Sequence, residues 1–265
     1  MKKVTTDWYD TPLYYDIVFD ADTAKQADFL EEVTARYRGA NSKGPYHVLE
    51  PACGSGRLIA EMARRGHDVC GFDLNENMLR HARERMTEAK WSAELWQDRL
   101  EDFSVPRRRK FDLAHCLVST FKYVHEESGA VSHLRRVGES LRLGGLYVLG
   151  LHLTDYDRSG MEHERWDVSR DGVRVVCNTR TWPAERKRRM EALRTRLRIT
   201  RGGRTWTQET RWEFRTYDAV QLRRLLAKVP EFELVACHDF NHEIESVREL
   251  SDPYPDVVLV LRKWR

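Results

Sequence analysis

The 265-residue chain sets 45 Lys and Arg against 42 Asp and Glu, a formal net charge of +3, with 33% of residues charged and 41% hydrophobic. That length permits a sizeable core with an elaboration, while the mean hydropathy of −0.66 and the lack of any long apolar run exclude a membrane-spanning helix. The charge is uneven: between Arg186 and Arg204 stand nine basic residues and one acid, Glu191. The opening MKKVTTDWYD is too polar for a secretion leader. Cys53, Cys70, Cys116, Cys177 and Cys237 are scattered without a CxxC pair, which predicts free buried thiols, no structural metal and a cytoplasmic setting.

In chain order, a helix is predicted over Asp22–Arg38, the body of an N-terminal lid (residues 1–40). Tyr46–Glu50 reads as a strand, Ser55–Arg65 as a helix closed by Gly66, and Asp68–Phe72 as a second strand. Asn75–Ala89 places Met78, Leu79, Ala82 and Met86 on one helical face. Strands follow at Trp91–Trp96 and at Phe111–Val118, the latter nearly all apolar as in the middle of a parallel sheet. A helix over Gly129–Arg142 and a strand over Leu146–Leu153 complete a doubly wound α/β pattern. The rhythm then changes to period two in Gly172–Trp182, Glu191–Thr200 and Thr205–Tyr217, the last two joined by Gly202-Gly203. A helix over Asp218–Lys228 and strands over Glu231–His238 and Asp256–Leu261 end the chain. The predicted organisation is a core formed by residues 1–154 and 218–265, with residues 155–217 inserted as a small antiparallel sheet that caps an acceptor or forms a dimer contact.

The informative stretch is Glu50-Pro51-Ala52-Cys53-Gly54-Ser55-Gly56-Arg57, which leaves a strand, turns on glycines and opens a helix. Asp73 ends the next strand, where a carboxylate can bond two vicinal ribose hydroxyls. A dinucleotide loop would need a third glycine where Ile59 stands. Glu50 would repel a pyrophosphate but suits an ammonium group. A ribose, an amino group and no phosphate describe S-adenosylmethionine.

These residues, with Gly71-Phe72-Asp73-Leu74-Asn75, Trp96-Gln97-Asp98-Arg99 and Phe111–Val124, resemble the successive motifs of class I S-adenosylmethionine-dependent methyltransferases over Tyr46–Leu153. The resemblance implies a Rossmann-like seven-stranded sheet whose last strand is antiparallel. It also implies that Ala52, Gly54, Gly56 and Arg57 lie against the methionine moiety, with Asp73 and Leu74 at the ribose. Met78 would pack on the adenine, Asp98 and Arg99 would meet its edge, and Leu117 would line the sulfonium side. Tyr14 and Tyr15 resemble N-terminal tyrosines that reach the donor in small-molecule methyltransferases.

Methyl transfer needs an aligned nucleophile and, for some acceptors, a base. Bases are expected at the carboxyl ends of the strands, which singles out His152 and His125, with Tyr14 beside them. His115 lies mid-strand, where a hydrogen-bonded core role is expected; His238 and His242 are expected at a rim. In the basic segment Arg194, Arg196 and Arg198 share one strand face, and Glu209, Arg211, Glu213 and Arg215 share that of the next, so a solvated, partly ion-paired face is expected, with phosphate binding by RNA or a phosphorylated substrate as the alternative. Arg186–Arg189 is the part that pairing explains least. The expectation is a methyltransferase acting on N or O of a small-molecule acceptor, as a monomer or homodimer. The rivals are an RNA or protein methyltransferase using the arginines and a non-catalytic cofactor-binding module. Val118-Ser119-Thr120-Phe121 stands where a base-amine methyltransferase would carry an N/D-P-P-Y/F-type tetrapeptide.

Overall fold

The computed structural model describes residues 2–38 and 44–265, so residues 1, 39 and 40 of the expected lid lie outside the described residues. The elements in chain order are β1 (Lys2–Thr5), α1 (Pro12–Phe19), α2 (Thr23–Tyr37), β2 (His47–Pro51), α3 (Arg57–Arg64), β3 (Asp68–Asp73), α4 (Glu76–Glu88) and β4 (Glu94–Gln97). Then come β5 (Phe111–Cys116), α5 (Glu127–Ser140), β6 (Leu141–His152), β7 (Glu162–Arg170), β8 (Val173–Thr181), β9 (Met190–Arg201), β10 (Arg204–Arg215), α6 (Ala219–Leu226), β11 (Phe232–His238) and β12 (Asp256–Lys263).

The large sheet runs β11-β12-β6-β5-β2-β3-β4, with β12 antiparallel to both neighbours and β2 to β6 parallel. Every residue of β5 is buried, Asp112 and His115 included, as expected of a mostly apolar central strand. One face packs on α2, α3 and α4 through Phe29, Leu30, Ile59, Met62 and Leu79. The other packs on α5 and α6 through Leu134, Val137, Leu222 and Leu225. Gly56 permits the tight join of this layer, because a Cβ there would meet the Ala82 Cβ at 2.7 Å. All five cysteines are free and buried.

The small sheet runs β1-β10-β9-β8-β7. It gains two strands that periodicity missed: the parallel edge strand β1, from the chain's start, and the antiparallel edge strand β7. The Gly202-Gly203 turn has positive φ at both residues (55° and 72°), the geometry that a two-residue hairpin demands. Its inner face, with Val175, Cys177, Leu197 and Ile199, packs on Trp8, Ile17 and Val18. The N-terminal segment is thereby held between the sheets.

The register leaves the charged face only partly paired, as expected. Arg196 does face Glu209, at 2.7 Å, but Arg194 faces Arg211 on one side and Arg180 on the other, while Arg198 faces Thr207 and Val176. The hairpin loop is better paired than expected. Arg186 reaches Asp157 (3.1 Å), Arg188 reaches Glu185 (3.2 Å) and Glu213 (3.4 Å), and Arg189 reaches Glu127 (3.2 Å). No described helix is long and apolar enough to cross a membrane.

Candidate methyl-donor site and its cavity

Strand order reverses between β2 and β5, so a crevice opens at their carboxyl ends. The backbone that lines it is bent on both sides. After β2, Ala52, Gly54 and Gly56 have φ of 56°, 53° and 72°; after β5, Val118 and Ser119 have φ of 60° and 66°. A left-handed Val is an outlier, held here because Ser119 N–H donates to Gly150 O (3.0 Å) and Ser119 Oγ accepts from His152 N–H (2.9 Å).

Asp73 fixes the glycine loop. Its Oδ2 accepts from Gly54 N–H and its Oδ1 from Asn75 N–H, both at 2.8 Å. Burial raises its carboxyl above the usual range, against those two N–H donors. Asn75 then caps α4, accepting from Met78 N–H at 3.0 Å.

A cavity of about 660 Å³ spans the crevice, within the usual range for a small-molecule site. Ala52, Gly54, Asp73, Leu74, Asp98 and Arg99 line its donor end. Asp7, Tyr9, Tyr15, Tyr123, His125 and Trp212 line the other, with Glu101 and Glu213 nearby. Asp98 is engaged locally, its carboxylate accepting from Arg99 N–H and Ser104 N–H at 2.9 Å. Gly56, Arg57, Met78 and Leu117 do not line the cavity, and Met78 is fully buried.

Behind the glycine loop is a cluster of unsatisfied groups. Glu50 Oε2, Ser55 Oγ and both ring nitrogens of His115 are buried without a hydrogen-bond partner. The expected hydrogen-bonded core role for His115 is thus not met: it makes no hydrogen bond, and its Nδ1 lies 3.9 Å from Glu50 Oε1. Burial raises the Glu50 carboxyl to about 8; Arg57 opposes this and Asp73 adds to it.

The sequence-predicted catalytic residues separate. His125 reaches the cavity, its Nε2 3.0 Å from Glu213 O. A carbonyl only accepts, so Nε2 carries the proton and Nδ1 is the basic nitrogen. Arg215 holds the loop by donating to His125 O at 2.6 Å. His152 packs on Phe240 (centroids 4.7 Å) and lies outside the cavity. Tyr14 meets Trp206 edge-on at 6.0 Å and lines a separate groove of about 200 Å³ with Asn77 and His81. Its neighbour Tyr15 takes the cavity position, since successive helical residues point about 100° apart. His238 and His242 are buried beside Phe29, in place of the expected rim. Tyr123 and Trp212 were not singled out as site residues; the signal available was one aromatic just past a strand and another on the inner face of a hairpin.

A seven-stranded sheet with this strand order, with a glycine loop after β2 and an acid at the end of β3, is the class I methyltransferase fold. Residues 48–145 match a family model described as "Methyltransferase domain". Over those residues the chain is similar to methyltransferases. It is 29% identical over 150 residues to a putative methyltransferase of Geobacillus sp. (strain WCH70), covering 56% of each chain. It is 31% identical over 128 residues to the dTDP-3-amino-3,4,6-trideoxy-alpha-D-glucopyranose N,N-dimethyltransferase of Streptomyces venezuelae, covering 48% of each. The chain thus spans about half the length of these curated relatives. In fold it is similar to an S-adenosylmethionine-dependent methyltransferase from Clostridium acetobutylicum ATCC 824, with a TM-score of 0.75, 16% identity and coverage of 97% of this chain and 98% of that one. The residues present fit this cofactor: an unpaired Glu50 oxygen suits its ammonium, Asp73 its ribose, and the glycine loop leaves backbone exposed to it.

Proposed function

We propose that the chain transfers a methyl group from S-adenosylmethionine to an amine nitrogen of a small molecule. The lining of the cavity carries this reading. Asp7, Asp73, Asp98, Glu101 and Glu213 face it against one permanent cation, Arg99, among the described residues. Asp73 and Asp98 belong to the donor end. The remaining acids, with the rings of Tyr9, Tyr15, Tyr123 and Trp212, favour an ammonium ion and disfavour an anionic acceptor. The relative from Streptomyces venezuelae, whose printed name is that of an amino-sugar N,N-dimethyltransferase, supports nitrogen as the acceptor atom.

S-adenosylmethionine supplies a methyl group already activated on a sulfonium. The chain must therefore deprotonate the acceptor, align it and exclude water. His125 Nδ1 is the base that takes the ammonium proton, its tautomer set by Glu213 O. The Tyr9–Tyr123 pair, with hydroxyls 2.9 Å apart, and Trp212, stacked on Trp8 at 5.1 Å, form a rigid wall. The inserted sheet, which contributes Trp212 and Glu213, acts as the acceptor cap.

The test follows demethylated donor over panels of small amines (amino sugars included), phenols, carboxylic acids, RNA and protein. Turnover confined to amines is expected; turnover with phenols or RNA but no amine overturns the reading. His125→Gln should lower kcat about 100-fold near pH 7 with donor affinity unchanged. The loss should shrink as pH rises and the amine deprotonates unaided.

A further inference from the structure

We propose that the acceptor is a diamine, with one nitrogen methylated beside His125 and a second that stays an ammonium ion held at Asp7. The inference rests on the amine reading above and adds to it the class of amine. Asp7 lines the cavity from the segment before α1 and is exposed at its rim. Its backbone is pinned on both sides by one hydroxyl of β10: Thr210 Oγ1 donates to Thr6 O at 2.8 Å and accepts from Trp8 N–H at 3.0 Å. The Tyr9 N–H then orients the carboxylate, donating to Oδ1 at 3.0 Å. Partial burial raises this carboxyl above its ordinary value; the Tyr9 N–H opposes the shift, Asp10 adds to it, and no cation offsets it. An acid fixed in this way, with Oδ2 left over, is set for a cationic ligand.

The reaction limits how many acids one amine can use. The attacking nitrogen must be neutral, and a carboxylate beside it favours the protonated, unreactive form. Its lone pair forms the C–N bond while the C–S electrons pass to sulfur, so positive charge moves from donor to acceptor. One acid near that nitrogen offsets the charge it gains. Glu213 has that place, because its own carbonyl oxygen fixes His125 Nε2 at 3.0 Å. Glu213 is also shared with Arg188 at 3.4 Å, and Glu101 has Arg99 at 3.7 Å. Asp73 and Asp98 answer the donor. Of the five acids, Asp7 is left with neither a cation partner among the described residues nor a part in the transfer. The surface beside it suits a cation. Burial holds the phenols of Tyr9 and Tyr123 above their ordinary value, so this pair is neutral and Asp7 supplies the charge at that wall. Tyr9, Tyr123 and Trp212 bring three rings to the cavity, and aromatic faces attract an ammonium ion. A hydroxyl in the same place would gain the hydrogen bond without the charge.

Steady-state methylation is compared for diaminoalkanes with chains of three to six carbons and for amino alcohols of the same lengths, with a diamino sugar and its mono-amino analogue beside them. The best diamine should exceed its hydroxyl counterpart about tenfold in kcat/KM, with the difference in KM. Asp7→Asn keeps the acceptor for the Tyr9 N–H and removes only the charge. It should raise the diamine KM about tenfold, erase the preference, and leave kcat and the amino-alcohol KM unchanged. Asp7→Glu, which keeps the charge, should restore most of the preference. Calorimetry with demethylated donor should give the same affinity for both variants as for wild type. Equal kcat/KM for diamine and amino alcohol, a preference that survives Asp7→Asn, or a loss shared by both acceptors overturns the inference and leaves the amine reading standing. If no amine of either kind is methylated, the amine reading itself has failed.

Discussion

Asp73 performs two tasks with one carboxylate. Its oxygens hold Gly54 N–H and Asn75 N–H while its outer lone pairs face the cavity. Replacing one oxygen by NH₂ sets donor against donor, so Asp73→Asn should do more than remove charge. It should release the glycine loop and weaken methylthioadenosine at least tenfold, and Asp73→Ala should abolish binding; unchanged affinity by calorimetry would remove Asp73 from the site. These residues were legible in the sequence because glycine turns and a strand-end acid are local patterns. Three others were not. Tyr14 and Tyr15 are alike as sequence, and only the packing of α1 against the small sheet decides which one meets the cavity. Met78 stays on the buried face of α4 that its spacing predicts, away from the cavity that the resemblance had it line, whereas Leu74 lines the cavity as expected. His115 looked like a core residue because an unpaired buried nitrogen is a property of its surroundings.

At the scale of elements, strong periodicity was a reliable guide and weak periodicity was not. The buried strands β2, β3 and β5 and the helices α2 to α4 lie where apolar spacing puts them, within a few residues. The third strand begins at Glu94, three residues later than Trp91, because Ala89 and Lys90 finish a helix end that sequence could not delimit. The edge strand β7 was missed because its inward positions are Glu162, Glu164, Trp166, Val168 and Arg170, too polar to show alternation. Register is the other quantity that a single strand does not carry. Alternation placed the arginines on one face, but only the pairing of β8, β9 and β10 shows Arg180, Arg194 and Arg211 in one transverse row. Its two outer members are exposed, and like charges set directly opposite are destabilising. Arg180→Glu turns one clash into an opposed pair and should raise stability by about 0.5 kcal/mol at low salt. The gain should fade as salt rises toward 1 M, as checked by urea melts at both ionic strengths. A salt-independent loss of stability would show that Arg180 has a role beyond repulsion.

For the whole molecule, the question is how two sheets hold one cavity steady. The join is a buried ion pair: Lys122, in the turn after β5, lies 2.5 Å from Glu191 on β9, with side chains 2% and 8% exposed. Lys122 also donates to His152 O (3.3 Å) and stands over the Phe214 ring at 5.3 Å. The next residue, Tyr123, forms the cavity wall. The pair therefore couples the position of the inserted sheet to the shape of the acceptor end. Removing one partner leaves the other charged and dry, so Glu191→Ala should cost about 3–5 kcal/mol in urea unfolding. Replacing both by apolar residues of similar bulk, Lys122→Met with Glu191→Leu, should recover most of that loss, since desolvating two ions offsets their attraction. If stability were the pair's whole purpose, the double variant would methylate as wild type does. Without the directional bond that sets Tyr123 against Phe214 (centroids 4.7 Å), we expect acceptor KM to rise several-fold in the double variant while donor affinity stays fixed. Unchanged acceptor KM would confine the pair to a structural role.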